Sequence, residues 1–248
     1  MFGGAGHLGL GIVKAIVEAG GQAVCFDLKD LAAQAVKRHG LGSAVIPVSL
    51  DVGDVASVPT VLARIWETHG PAAGLVMLPA KSSRALAWDK IAPEEIAATN
   101  HINLTAAYIV VREVGQRMME QKKGSIVLFS SMYGMVAPNP AVYEGLNQSL
   151  NPPDYGASKA GVIQLARYFS AVMGRSGVRC NAVSPGPFPR PSVQEASAEF
   201  IRRLGEKTHL GRIGDPHEMV GPVMFLLSDD ASYVTGQNLA VDGGWTSW

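Results

Sequence analysis

Segments typical of β-strands alternate with segments typical of α-helices along the whole sequence. Short apolar runs such as 23–27 and 125–130 are separated by longer stretches with helical spacing of apolar residues, such as 55–69. Strands separated by helices usually pair in parallel and are covered on both faces. The order therefore predicts an α/β fold with a doubly wound parallel sheet, whose ligands bind at the carboxyl ends of the strands.

The 248 residues suit a single domain, 1–248, without repeats, low-complexity segments or a linker. We predict the following strands and helices from the apolar spacing. The strands are 23–27, 44–50, 74–78, 125–130, 178–183 and 238–241, and the helices are 12–19, 55–69, 93–121, 155–173 and 218–227.

Composition and charge exclude several classes of protein. Lysine plus arginine and aspartate plus glutamate both number 21, and no basic block stands out, which argues against nucleic acid as a partner. No apolar run approaches the roughly 18 residues of a membrane span, and no signal peptide opens the chain. We expect a cytoplasmic protein that has no metal site and in which Cys25 and Cys180 are buried free thiols.

The chain opens with a glycine-rich stretch that precedes an apolar helix. Glycines let the backbone turn tightly and approach a pyrophosphate at a helix N-terminus, although a plain turn is also compatible with them. The predicted phosphate-binding residues are Gly3, Gly6, His7, Leu8 and Gly9.

Two acidic residues at strand ends indicate which dinucleotide binds. Asp27 ends the strand 23–27, where a carboxylate binds ribose hydroxyls and repels a 2′-phosphate, although a strand-end turn residue is the alternative. Asp51 and Val52 follow the next strand and are expected beside the adenine. The pattern predicts NAD(H) in preference to NADP(H).

Tyr155 and Lys159 form the pair that carries the predicted chemistry. Their i,i+4 spacing places both on one helix face, although such a pair taken alone is usually a solvated helix pair. A phenol has a pKa of about 10, so a base at neutral pH needs roughly 4 kcal/mol of differential stabilisation. Ser131 follows a predicted strand, where it is expected to hold the substrate oxygen.

In this order, the motifs resemble those of the short-chain dehydrogenase/reductase family, whose single domain has a Rossmann-like fold. The resemblance extends from Gly3 to the C-terminus, and the most similar group is that of the gluconate 5-dehydrogenases and 3-oxoacyl reductases. Besides the glycine turn, it rests on Asn103, Ser131, Tyr155, Lys159, Pro185, Gly186 and the ending 233–244.

The resemblance implies a role for each of these residues. Tyr155 exchanges a proton with the substrate, Lys159 lowers the tyrosine's pKa and binds the nicotinamide ribose, and Ser131 orients the substrate oxygen. Asn103 holds a water in the proton relay. The segment that contains Pro185, Gly186 and Phe188 lines the nicotinamide.

The expected activity is an NAD(H)-dependent interconversion of a secondary alcohol and a ketone, on a polyol, sugar or sugar-derived small molecule. By resemblance the assembly is a homodimer or a homotetramer. The alternative is a degenerate, cofactor-poor member with a structural or regulatory role.

Three departures from the family pattern concern the cofactor side of the site. Only two residues precede Gly3, where the family has a whole strand, so either the start is truncated or the sheet lacks its middle strand. His7 stands where the family usually has glycine; it either crowds the pyrophosphate, donates to it or is an exposed turn residue. The segment 77–80 replaces a family Asn-Asn-Ala-Gly that braces the sheet beside the cofactor.

The substrate side also departs from the family. Ser131 and Tyr155 are 24 residues apart, about twice the usual spacing. The extra segment 138–153 is expected to be a loop by the substrate pocket, with Tyr143, Glu144 and Asn147 as contacts, although a passive surface insertion is the alternative. Arg190 replaces a threonine that touches the nicotinamide amide. In the expected substrate lid 187–209, Arg190, Arg202 and Arg203 either contact an anionic substrate or are solvated helix charges.

Overall fold

The sheet is parallel throughout the part of the chain that the computed structural model describes, residues 1–83 and 87–248. One part has the strand order β2-β1 and the other the order β3-β4-β5-β6. The strands are β1 Ala23–Asp27, β2 Val45–Ser49, β3 Gly74–Met77, β4 Gly124–Phe129, β5 Val178–Pro185 and β6 Asn238–Val241. All six coincide with predicted strands to within two residues.

Phe2 joins the two parts of the sheet at the position expected for the first strand. It forms parallel bridges to Phe26 in β1 and to Met77 in β3. Its backbone N–H donates to Val76, 2.9 Å away, and its buried ring stacks on Phe26 with 4.4 Å between the centroids. The sheet is therefore continuous: the backbone of Phe2 bonds to β3, and its neighbours Met1 and Gly3 bond to Phe26 in β1.

The helices cover both faces of the sheet, and the predicted α/β fold is confirmed. They are α1 Gly9–Glu18, α2 Leu31–His39, α3 Val58–His69, α4 Pro93–Asn100, α5 Ala107–Gln121, α6 Pro153–Met173, α7 Pro191–Ala196, α8 Ala198–Glu206 and α9 Val220–Leu227. Helices α3, α5 and α6 pack on one face, and α1 and α9 on the other. Sequence patterning missed α2, α7 and α8, which are short.

A π-helical segment, His101–Ala106, links α4 to α5 within the predicted long helix 93–121. Isolated π-helical turns are rare and occur frequently at functional sites. Asn103 lies in this segment and is buried. The irregularity therefore coincides with a predicted site residue.

None of the helices in the described ranges has the length and apolar character needed to cross a membrane.

Candidate active site

A cleft of about 1080 Å³ runs along the carboxyl ends of the central strands. It extends from the glycine turn at residues 3–9 to Ser131, Tyr155 and Lys159. This is where a doubly wound sheet binds its ligands, at the point where the strand order reverses.

The glycine turn is closed so tightly that two of its positions, Gly3 and Gly9, do not suit a side chain. Gly3 has a φ of +75°, a left-handed conformation that favours glycine. A Cβ on Gly9 would lie 2.3 Å from the carbonyl oxygen of Gly3. The turn thus presents bare backbone at the start of α1, as a pyrophosphate site requires.

Asp27 and Asp51 lie at the end of the cleft formed by β1 and β2. One carboxylate oxygen of Asp27 accepts the N–H of Ala5 at 3.0 Å, and the other accepts the N–H of Leu28 at 2.9 Å. Asp51 accepts the N–H of Gly53 at 2.8 Å. Both acids are therefore fixed at the cleft, and Val52 lines it beside them.

Helix α6 presents Tyr155 and Lys159 to the cleft on one face. Burial raises the pKa of the Tyr155 phenol, and a hydrogen bond from Ser131 only partly opposes this effect. The Lys159 ammonium lies over the Tyr155 ring, 5.8 Å from its centroid. Three of the four predicted catalytic side chains, those of Ser131, Tyr155 and Lys159, are therefore assembled together.

Two hydrogen bonds fasten the end of β4 to α6. The ammonium of Lys159 donates to the carbonyl of Phe129 at 2.6 Å, and the Ser130 hydroxyl donates to the carbonyl of Lys159 at 2.7 Å. Lys159 is 2% exposed, and burial lowers its pKa to about 8. Because Ser131 follows Ser130 directly, these bonds also fix its position relative to Tyr155.

The side chain of Asn103 connects three segments of the site. Its amide oxygen accepts the N–H of Lys81, and its amide nitrogen donates to the carbonyl of Lys81 and to the hydroxyl of Ser158, each at 2.8 Å. The amide thereby braces the loop after β3 against α6. The expected role of Asn103 as the holder of a relay water stays a prediction.

Asp154 forms a second brace, which the sequence did not indicate. It is 5% exposed, and its carboxylate accepts the hydroxyl of Ser83 at 2.7 Å and the N–H of Ser83 at 3.1 Å. Asp154 and Ser158 are four residues apart and so lie on one face of α6. The loop after β3 is thus held at two points beside Tyr155.

The opposite wall of the cleft is formed by the end of β5 and the segment that follows it. Pro185, Gly186 and Phe188 line the cleft, together with Arg190. A Cβ on Gly186 would lie 2.5 Å from the Cα of Asp242, so this segment packs closely on the chain after β6. His7 and Leu8 line the facing glycine turn.

The insertion 138–153 packs against α8 rather than along the cleft. The hydroxyl of Tyr143 lies 2.6 Å from the hydroxyl of Tyr133, and the Tyr143 ring packs on Phe200, 5.3 Å between centroids. Arg203 donates to the carbonyls of Ala141 and Glu144.

Of the predicted substrate residues, the cleft lining includes Arg190 and does not include Tyr143, Glu144 or Asn147. Glu144 and Asn147 are exposed on the loop. Their contact with a substrate stays a prediction.

The charges of α8 interact within the protein. Arg202 pairs with Glu199 and Glu206, and Arg203 pairs with Glu199. Spacings of three and four residues on one helix face already favour such pairs. The structure therefore favours the alternative of helix charges for these two arginines.

Comparison with known proteins places this geometry in a family. A sequence profile described as Enoyl-(Acyl carrier protein) reductase matches residues 4–246. The chain is 31% identical to 2-(S)-hydroxypropyl-CoM dehydrogenase 3 of Xanthobacter autotrophicus over 99% of its own length and 94% of the relative. It is 33% identical to L-rhamnose 1-dehydrogenase (NAD(P)(+)) of Sphingomonas sp. SKA58, with 83% and 78% covered.

A solved structure agrees with these relatives. The short-chain dehydrogenase of Leptospira borgpetersenii with bound NAD+ superposes with a TM-score of 0.86 at 26% identity, covering 99% of this chain and 91% of that one. The chain belongs to the short-chain dehydrogenase/reductase family, as its motifs predicted. It is an oxidoreductase of the class that acts on CH–OH groups with a nicotinamide cofactor.

We predict that the brace at Asp154 makes stability depend on pH. Burial alone raises the pKa of a carboxyl group, but hydrogen bonds to the ionised form outweigh it, and the pKa of Asp154 lies below the ordinary 3.8. Its contribution is therefore present above that value and is lost as the pH falls through the lower pKa of the folded state. Thermal unfolding of wild type and Asp154→Asn should differ most near neutral pH and converge in acid.

The exposed Asp54 provides the control for this measurement. Asp54→Asn should unfold with wild type at every pH. If the melting temperatures of wild type and Asp154→Asn differ by the same amount at neutral and at acid pH, the assigned role of the carboxylate is contradicted.

Proposed function

We propose that the protein is an NAD(H)-dependent dehydrogenase/reductase that interconverts a secondary alcohol and a ketone on a polyol, sugar or sugar-derived substrate. The observation that carries the proposal is the assembly of Ser131, Tyr155 and Lys159 at one end of a cleft that begins at a glycine turn.

The proton chemistry falls to Tyr155. Because burial raises its pKa, the phenol holds its proton in the unliganded site and is ready to donate it to a carbonyl oxygen. Ser131 lies within hydrogen-bond reach of the same hydroxyl and orients the substrate oxygen. In the oxidative direction the phenolate is needed, and the positive charges of Lys159 and of an oxidised nicotinamide favour it. The nicotinamide supplies or accepts the hydride.

The residues present fit a dinucleotide. The bare glycine turn suits the pyrophosphate, and Asp27 suits the ribose hydroxyls of the adenosine. Asp51 and Val52 would lie beside the adenine, and Pro185, Gly186 and Phe188 along the nicotinamide. Lys159 would bind the nicotinamide ribose.

The intact catalytic group argues against a degenerate member of the family. A cofactor-poor protein has no need to bury an ammonium beside a phenol, since burying a charge costs free energy. The segment 77–80 lacks the family's amides, but Asn103 and Asp154 brace the adjoining loop.

We propose a cytoplasmic homodimer or homotetramer. Apolar and aromatic side chains are exposed along α5 and α6, among them Tyr108, Tyr168 and Val172. Such a patch favours association. Sedimentation of the whole chain measures the oligomeric state, and a monomer would reject this assembly.

Tyr155→Phe should reduce kcat by at least about 100-fold, because the variant loses the proton that is exchanged with substrate. The affinity for the cofactor and the melting temperature should stay close to wild type. Steady-state kinetics and calorimetric titration measure both. Tyr233→Phe removes a hydroxyl from a fully exposed ring and serves as the control. Turnover of Tyr155→Phe within about threefold of wild type would reject the assigned acid/base.

NAD+ should bind more tightly than NADP+, by roughly 10-fold or more, because Asp27 would face a 2′-phosphate of like charge. Asp27→Asn should narrow this ratio, and Asp30→Asn, on an exposed acid beside α2, should leave it unchanged. Calorimetric titration of both cofactors gives the ratio. Tighter binding of NADP+ by wild type would contradict the proposal.

We propose that the insertion 138–153 selects the substrate. The loop leaves the strand that delivers Ser131 and enters the helix that delivers Tyr155, so both of its ends are fixed at the reacting groups. Its exposed Glu144 and Asn147 suit hydrogen bonds to a hydroxyl-rich molecule, and Tyr143 supplies an aromatic surface. A relative in the family is named for L-rhamnose, a sugar.

Glu144→Gln and Asn147→Ala should change the ranking of kcat/KM across a panel of polyols, sugar acids and 3-oxoacyl esters. Each substitution removes polar contacts that only some of these substrates offer. Neither side chain is buried, so the fold should survive. Gln121→Ala, at the distant end of α5, is the control. If kcat/KM falls by one common factor for all substrates, or does not change, the loop does not select the substrate.

A further inference from the structure

Arg190 has a different environment from the arginines of α8. It directly precedes α7 and lines the cleft on the side that faces the glycine turn. Arg202, Arg203 and Arg212 are each paired with a carboxylate. Within residues 1–83 and 87–248, no carboxylate forms an ion pair with Arg190. Its charge is therefore available to a ligand in the cleft.

His7 connects the glycine turn to the residue before Arg190. It is half-buried and lines the cleft together with Arg190. Burial lowers the pKa of its ring, and the nearby backbone of Pro189 partly opposes this effect. Nε2 of the ring is buried and has no partner in the described part of the chain. The backbone of His7 is not left-handed, so a side chain is tolerated where the family usually has glycine. His7 is thus a contact between the two walls of the cleft, and not an exposed turn residue.

The cleft is lined by both acidic and basic side chains. Its acids, Asp27 and Asp51, lie at the end formed by β1 and β2, where Asp27 also accepts the N–H of Ala5 in the glycine turn. Its bases are Lys81, Lys159 and Arg190.

Arg190 lies close enough to His7 that its positive charge, after burial, helps to lower the pKa of the ring. Asp215 also influences His7, but it accepts the N–H of His217 and is not among the cleft-lining residues. The cleft therefore offers an anion a positive charge beside the glycine turn.

We propose that Arg190 binds the pyrophosphate of the dinucleotide and that His7 holds Arg190 in place through Pro189. The inference rests on the proposed function, since it assigns residues to the cofactor of that site. The sequence predicted that Arg190 contacts the substrate, and this inference assigns it to the cofactor instead. It also gives His7 a positioning role, so that a side chain that narrows the turn strengthens the site instead of weakening it.

The test is calorimetric titration of NAD+, ADP-ribose and adenosine into wild type and Arg190→Gln. Losing a charge-assisted contact should weaken NAD+ and ADP-ribose by roughly 10- to 100-fold. Adenosine lacks the pyrophosphate and should bind equally to both proteins. Arg190→Lys keeps the charge but lacks the paired donors of the guanidinium. Its affinity for NAD+ and ADP-ribose should therefore lie between those of wild type and Arg190→Gln. The control is Arg202→Gln, which removes an arginine from outside the cleft and should bind all three as wild type does.

A double-mutant cycle tests the positioning role of His7. His7→Gly should weaken ADP-ribose less than Arg190→Gln does, and in the double variant its effect should be smaller than in wild type. Full additivity would overturn the coupling, because a histidine that acts without Arg190 has the same effect in either background.

The outcomes separate this inference from the proposed function. If wild type binds neither NAD+ nor NADP+, the proposed function fails. If wild type binds NAD+ and Arg190→Gln binds it equally well, Arg190 is not a pyrophosphate ligand. If Arg190→Gln keeps its affinity for NAD+ but has a raised KM for an anionic substrate, Arg190 binds the substrate and not the cofactor. If Arg190→Gln does not fold, Arg190→Lys takes its place in the test. An NAD+ affinity of Arg190→Lys equal to that of wild type would then reject Arg190 as a pyrophosphate ligand.

Discussion

The buried ammonium of Lys159 is the constraint on which the active site depends. A charge without water requires compensating hydrogen bonds, and the backbone carbonyl of Phe129 supplies one at 2.6 Å. That bond forms only because β4 ends where α6 passes. The hydroxyl of Ser130 adds a second bond between the two elements, since it donates to the backbone carbonyl of Lys159. The free-energy cost of the buried charge is thus offset by bonds that also set the position of Ser131. Stability and catalytic geometry are coupled at this point, and a burial that lowers the pKa of Lys159 to about 8 still leaves it largely protonated at neutral pH.

The loop after β3 shows how a site tolerates the loss of a family motif. The segment 77–80 carries no amide side chains, yet the backbone beyond it is held by Asn103 and Asp154. Asn103 uses both atoms of its amide and projects from a π-helical segment, where the changed helical phase directs it toward Ser158. The loop is therefore braced from the π-helical segment and from α6, and the position of Tyr155 does not require amides in the segment 77–80.

Much of the fold, and the assembly of the predicted catalytic residues at one cleft, was predictable because these features follow local rules. Apolar runs located each of the six strands in the described part of the chain to within two residues, and i,i+4 spacing placed Tyr155 with Lys159. The braces were not predictable, since Ser83 and Asp154 are 71 residues apart and only the assembled sheet brings them together. The single-residue bridge at Phe2 escaped for a related reason. Its two hydrogen-bonding neighbours, β1 and β3, are defined by tertiary structure, and two residues carry no strand pattern of their own.

The insertion 138–153 and α8 are held together by hydrogen bonds and ring contacts, close to the segment that follows Ser131. Arg203 holds two carbonyls of the insertion, and Tyr143 contacts both Phe200 and the hydroxyl of Tyr133. Tyr133 is itself two residues from Ser131 and packs edge-on against Trp245. Displacing α8 would therefore break bonds to the insertion and expose an apolar cluster, which costs free energy in proportion to the area uncovered. A loop bound in this way has a shape that its contacts with α8 and Tyr133 set, so any influence of the proposed kind on substrate choice would come from a fixed surface and not from a mobile one.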